Sequence, residues 1–458
     1  MTDHSGIQHA LGDAARRALG GLLAELSAFG PNQHTRLLRL HTPLGPEALL
    51  AERVRIHEGI GPGAALLPDT LDHAPTSHRA GTSGIGHQAE VPPQTGQCID
   101  LLALSTQADL APVDLLGQPV LLEMLTADTL RPFHGHVTAF ELLGADGGYA
   151  RYRLRIEPWL AFLGHRTDAW VFQDMSVLDI TEAVLADYAA QGTLMPAWRF
   201  DLADRSVYAR RSLCVQFNET DLAFLQRLWA EEGLFTWFEH EGRPTDLPHL
   251  GRHTLVIADH NEAFRPNAQP RVRFTQASAV LKEDSLTRWH GVRRVGPAAL
   301  HTASFDYRAV ANHRASASSE AGHDQPFDLA HADQPGAYAY ETPAQAERRA
   351  QVQMQSLDAA RKRFVGEGTV RTLAPATTFT LQEHAEHDAG FLSTGSTENQ
   401  FVVLGVVHEA RNNLGADAQA GLKRLLGDAV LGALAAAGGG QGQANASDAP
   451  LYRARLTA

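Results

Sequence analysis

Two short clusters carry the residue types that chemistry needs. Asp259-His260-Asn261-Glu262 and His384-Ala385-Glu386-His387-Asp388 combine imidazole with carboxylate, the donors of zinc sites and of general acid–base pairs. Their spacing argues against both roles. His384 and His387 would share a face on a helix, but the surrounding pattern alternates like strands and places them in a loop. Neither cluster has the His-Glu-x-x-His spacing, and His408-Glu409 is followed by Asn412 where the second histidine would stand. No Gly-x-Ser-x-Gly elbow, P-loop or dinucleotide glycine fingerprint occurs, and the carboxylates are too scattered to form a glycosidase pair. The sequence therefore assigns no catalytic, metal-binding or cofactor-binding residue. The expectation is a protein that is not an enzyme and uses no cofactor.

The composition limits the partners. A net charge of -13 argues against nucleic acid, because phosphate binding needs a basic face. Hydrophobic residues at 44% and charged residues at 20% describe an ordinary globular chain, and 458 residues exceed a single core. The 23 histidines mostly stand alone, so solvated or core positions are their default. Cys98 and Cys214 each fall in a strand pattern and read as two buried thiols, as suits synthesis in a reducing cytoplasm. The first residues lack a basic region followed by an apolar run: Asp13, Arg16, Arg17 and Glu25 interrupt them. No signal peptide and no membrane span of ~18 apolar residues is expected.

The element around which the rest is organised is Cys214 to His240. Cys214 to Phe217 favours a strand. Asn218 is expected to cap a helix, with Asp221 in its first turn. Leu222, Leu225 and Trp229, flanked by Phe224 and Leu228, make a broad apolar helical face, and Gly233 supplies a left-handed stop. Leu234 to Phe238 then reads as a strand buried on both faces. Upstream, Ser176 and Asp179 form a capping box before the stripe Val177, Ile180, Val184 and Tyr188, which Gly192 closes. Phe133 to Phe140 and Tyr149 to Glu157 read as a hairpin through Gly144 to Gly148. In its returning strand Tyr152, Leu154 and Ile156 alternate with Arg151, Arg153 and Arg155, giving one buried and one solvated basic face.

Further strands are expected at 35–40, 54–57, 98–104, 120–125, 198–200, 253–258, 272–274, 289–295, 304–307, 368–373, 377–381 and 401–408. Thr342, Pro343 and Gln345 open a helix over 343–364 whose last turn holds Arg361, Lys362 and Arg363, with Gly366 ending it. Stripes at 8–29 and 416–435 read as helices. Residues 75–97 and 311–335 read as long loops, and 436–450 as a flexible low-complexity tract.

The stretch FNETDLAFLQRLWAEEGLFTWFEH resembles the signature of the VgrG family, spike-tip proteins of type VI secretion that are similar to phage tail hubs. The likeness continues in order through Leu37-Leu38-Arg39-Leu40, Leu116-Gly117-Gln118-Pro119, Arg131 to Val137, Arg151 to Leu154, Pro158-Trp159-Leu160 and Phe172-Gln173-Asp174. It runs on through Leu255 to His260, Ser304 to Tyr307, Lys362-Arg363-Phe364, Val406-Val407-His408 and Leu451-Tyr452-Arg453.

This resemblance implies an α+β, phage tail hub-like fold: two β-barrel domains with mixed α/β elements between them. The implied division is 1–35, an N-terminal helical extension; 36–165, the first hub barrel; 166–250, a middle α/β domain; and 251–340, a strand-rich segment. The second barrel then spans 341–435, and 436–458 forms the junction to an OB-fold and β-helix spike that the sequence does not include. The implied function is a homotrimeric adaptor between the Hcp tube and the puncturing spike, expelled without a signal peptide to deliver effectors. Baseplate proteins, effectors or their adaptors are implied partners, and a PAAR tip would be reached only through the missing spike. Which residues would bind partners is not legible in the sequence. Two alternatives remain beside it: a cell-wall-directed hydrolase, which would need Glu386 or His260, and a carbohydrate-binding tail-like protein.

Overall fold

The computed structural model describes residues 36–45, 47–61, 95–146, 149–189, 191–275, 283–320, 328–387, 398–412 and 451–458. The helices expected at 8–29 and 416–435, the tract at 436–450 and nearly all of the loop at 75–97 lie outside these residues.

Alternation builds the largest element. Ten strands join in the order β1 (Leu38–His41), β4 (Pro119–Leu125), β5 (Leu130–Asp146), β6 (Tyr149–Glu157), β3 (Gln97–Ser105), β2 (Leu50–Gly59), β20 (Gly405–Arg411), β21 (Tyr452–Thr457), β17 (Lys362–Gly368) and β13 (Leu286–Arg293). Every neighbouring pair is antiparallel. In β6, Tyr152, Leu154 and Ile156 are buried. Arg151, Arg153 and Arg155 point outward to Glu52, Glu141 and the pair Asp100 and Glu157. The basic face is thus neutralised by its own sheet. One apolar core follows the sheet from Leu38 through Phe133 and Val137 to Trp289, Phe364 and Leu456, so the two ends of the sheet share a single interior.

A second core surrounds helices α1 (Val177–Ala186) and α2 (Asp221–Glu232). The Ser176 hydroxyl accepts the Asp179 amide, and the Asp179 carboxylate accepts the Ser176 amide, which completes the expected capping box. In α2 the stripe Leu222, Phe224, Leu225, Leu228 and Trp229 is buried, and Gly233 stops the helix at φ 76°. Truncating fully buried Leu225 to alanine costs about 2–5 kcal/mol. The helix starts two residues later than expected. Thr220, not Asn218, is the N-cap. Asn218 is the extra residue of a bulge, at φ 51°, where strand β7 (Thr167–Phe172) pairs with β9 (Cys214–Thr220) and the register steps from Glu219 to Phe217. Asp221 is buried and accepts from Arg166, Tyr188 and Gln216. Cys98 and Cys214 are free, buried thiols.

Three small sheets complete the fold: β10 (Phe235–Gly242) with β11 (Gly251–Ala258) and β8 (Trp198–Asp201); β12 (Arg265–Arg273) with β18 (Thr377–Gln382) and β19 (Gln400–Val402); and β15 (Ala311–Ser318) with β14 (Ala299–Asp306) and β16 (Ala330–Asp333). The last corrects the expected loop at 311–335. Ala315 and Ala317 pack beneath helix α3 (Pro343–Ala359) against Ala350 and Met354, and small residues let helix and strand approach closely.

Helix α3 is capped by Thr342 as expected, but it ends at Ala359. Lys362 and Arg363 belong instead to β17, drawn into register with Arg293 and Val292. Residues 369–373 do not continue that strand, and 401–408 divides between β19 and β20. The helix expected to close at Gly192 ends at Ala186, with Gly192 at φ 56° in the following turn.

Candidate functional site: a buried polar seam and an exposed strand ribbon

Between Phe133 and Val137 strand β5 is buried on both faces, and each face carries chemistry. Phe133 and Val137 enter the main core, while His134 and His136, at the alternate positions, face the β10–β11 sheet. Gly135 between them allows close packing: a Cβ there would lie 2.7 Å from Ile156 Cγ2 and 2.9 Å from the Glu157 carbonyl.

On the core side, Arg131 donates to Glu58 of β2 at 2.5 Å and to the Leu373 and Arg371 carbonyls at 2.5 and 3.2 Å. Its guanidinium stands 4.6 Å over the Phe133 ring. Glu58 also lies 3.3 Å from Nε2 of His408 on β20, whose Nδ1 is 2.6 Å from the Tyr452 hydroxyl on β21. That hydroxyl donates to the Val370 carbonyl. One network therefore joins β5, β2, β20 and β21. Burial pushes the Glu58 pKa up, but the Arg131 charge and the His408 contact outweigh it and hold the carboxyl at about 2. The segment 369–373 is not a strand because its carbonyls accept from Arg131 and Tyr452.

On the other side lies a chain of imidazoles. The Trp159 backbone amide donates to His253 Nε2 at 2.8 Å. An amide can only donate, so the His253 proton resides on Nδ1, which lies 2.8 Å from His134 Nδ1. His134 then accepts there and donates from Nε2 to the His249 carbonyl at 2.8 Å. The His134 amide in turn donates to His240 Nδ1 at 3.1 Å. Backbone groups at both ends thus fix the tautomers of His253 and His134, and both rings are neutral. Burial pushes His136 and His240 down to about 4 and His253 well below the usual histidine range, and the neighbouring imidazoles add to this. The same polarity argues against a metal: His253 has its Nε2 lone pair engaged and a hydrogen on Nδ1. Among the described residues no group of three or more histidine, cysteine or acidic side chains could hold a metal ion.

The clusters singled out in the sequence fare differently. Asp259 accepts from the Ala203 amide and the Tyr208 hydroxyl, and His260 lies 3.6 Å from Asp201. His384 and His387 follow β18 and stack at 5.0 Å in an aromatic cluster with Phe274, Phe364 and Phe401. The buried histidines were missed because they converge from β5, β10 and β11. The one local sign is His134-Gly135-His136, two histidines on one face of a strand.

The second feature is on the surface. In the β7–β9 ribbon, Val171 stands opposite Val215 and Ala169 opposite Phe217, so these side chains share one face. Phe172 and Cys214 face the α1–α2 core, with Phe172 stacked on Phe224. Phe217 is 73% exposed, and Trp170, Val171, Leu213 and Val215 are also exposed. Flanking charges are paired within the chain: Arg227 with Glu219, and Arg166 with Asp187 and Asp221. No helix of the described residues is long and apolar enough to cross a membrane.

Comparison with known proteins agrees with this architecture. Residues 98–414 match the family described as the phage tail baseplate hub (GPD). The type VI secretion system spike protein VgrG1b of Pseudomonas aeruginosa is 26% identical over 359 residues, covering 78% of this chain and 42% of that protein. The chain thus spans about two fifths of the length of that relative.

Two solved structures share the fold. An E. coli type VI secretion component described as structurally similar to bacteriophage T4 tail proteins superposes with a TM-score of 0.53 at 14% identity, over 92% of this chain and 75% of that one. A tail protein from Neisseria meningitidis gives 0.52 at 11% identity, over 92% and 95%. The chain belongs to the phage tail baseplate hub family and is similar to the VgrG spike proteins of type VI secretion.

Proposed function

We propose that this chain is the hub portion of a type VI secretion spike: three copies form a structural adaptor between the Hcp tube and the puncturing spike, expelled on sheath contraction to deliver effectors. On this reading it is not an enzyme, and it leaves the cell as part of the expelled assembly. Baseplate proteins, effectors or their adaptors are its partners. The strands drawn from 36–165 and from 341–435 correspond to the two hub barrels, with β13 and β21 joining the second set. The segments 166–250 and 251–340 are the middle domains.

The observation that carries the reading is the hub-family match over 98–414 together with a sheet that crosses from β2 to β20. An adaptor that passes force along its axis needs its halves joined by cooperative hydrogen bonding, and the Arg131–Glu58–His408–Tyr452 network reinforces that joint. Sedimentation velocity of the 458-residue chain mixed with Hcp hexamers tests it. Co-migration of the two is expected, and independent migration at micromolar concentrations would overturn the proposal.

A further inference from the structure

The apolar face of the β7–β9 ribbon is a surface in search of a partner. Trp170, opposite Gln216, belongs to the other face, while Val171, Leu213, Val215 and Phe217 are 52, 57, 40 and 73% exposed within two short paired strands and the residue preceding one of them. At about 150–200 Å² for a large bared side chain, they leave on the order of 400 Å² of apolar surface in water. That is within the range of the largest patch on a monomer and about half of the ~800 Å² that each side of a standard interface buries.

We infer that this ribbon is where one copy of the chain seats against the next. The inference rests on the assembly reading above and supplies the contact that reading leaves unplaced. Charge decides between a second copy and another partner. A chain of net charge -13 repels its own copies, so copies meet best through an uncharged surface. The outward residues Ala169, Val171, Val215 and Phe217 carry no charge. Of the flanking ionic groups, Glu219 is paired with Arg227 and the Asp168 carboxylate accepts the Ala169 amide. The ribbon edge along β9 is also blunted, because Arg227 donates to the Val215 carbonyl. Contact is therefore made through side chains on the open face. A closed ring of three requires a head-to-tail interface, so the ribbon meets a different face of the neighbouring copy.

Light scattering across a concentration series on the 458-residue chain, with Phe217→Asp, Val171→Asp and Val113→Asp, tests this. Val113 is 76% exposed but lies away from the ribbon, after β3. The wild type and Val113→Asp should show a mass near three times 49.5 kDa. The two ribbon variants should dissociate at concentrations at least about tenfold higher than the wild type. Unchanged circular dichroism and melting would show that these exposed substitutions spare the fold. Ribbon variants that keep the wild-type mass at every concentration would overturn the ribbon contact and leave the hub assembly standing. A wild type that stays monomeric at every concentration would overturn the self-contact, even if the monomer binds Hcp.

Discussion

The seam around Arg131 and the β7–β9 ribbon invert the usual placement of residues. The seam buries a guanidinium, a carboxylate and several imidazoles, while the ribbon leaves tryptophan, phenylalanine and valine in water. Most of the buried polar groups are satisfied by one another and by backbone, His136 Nδ1 and His240 Nε2 excepted, so they fix how distant strands meet. The exposed apolar groups are left uncovered by the described residues. Stability is therefore concentrated in the seam, and the ribbon is nearly free to change.

Arg131→Ala should strain this contrast most. It strands Glu58 beside His408 in a dry site, and breaking a buried pair costs about 3–5 kcal/mol. Urea unfolding should register the loss, and an effect below about 1 kcal/mol would mean that the seam is not a stability centre.

Acid should open the same region. His136 and His240 are depressed from 6.5 to about 4, so between those values the unfolded chain binds more protons than the folded one. Stability then falls as pH drops from about 6.5 to about 4, by on the order of 3 kcal/mol for each ring. Glu58, lowered from 4.5 to about 2, adds a further loss below about 4.5. A melting temperature constant between pH 7 and 4.5 would contradict the neutral imidazole chain. The smallest effect is expected at the ribbon, where Phe217→Ser should change monomer stability by less than about 0.5 kcal/mol.

What the sequence made legible was local. The alternation of Tyr152, Leu154 and Ile156, the Ser176–Asp179 capping box and the glycine stop at Gly233 each stand in the structure because near neighbours decide them. What it hid was settled at a distance. Ala315 and Ala317 carry little strand signal, yet a helix some thirty residues on packs over them. Lys362 suits a helix end but pairs with Arg293. Asn218 suits a cap but absorbs a bulge. The imidazole chain needed β5, β10 and β11 to assemble before any histidine could be told from a solvated one. The ribbon was half visible: Val215 and Phe217 alternate with Cys214 and Gln216, but the alternation does not say which face meets water.

Strand β21 sits in mid-sheet between β20 and β17, and β20 pairs in turn with β2. Strands β2 and β20 are separated by hundreds of residues, as are Leu38 and Asn412, whose side-chain amide bonds the Leu38 backbone. During synthesis β2 must therefore wait with an unpaired edge until residues beyond 405 emerge, tens of seconds at about 5–20 residues per second. The middle of the sheet is completed only when Thr457 has left the ribosome. A nascent chain of this protein is an aggregation hazard through most of its translation, and its yield should depend on how well that edge is shielded by chaperones in the interval.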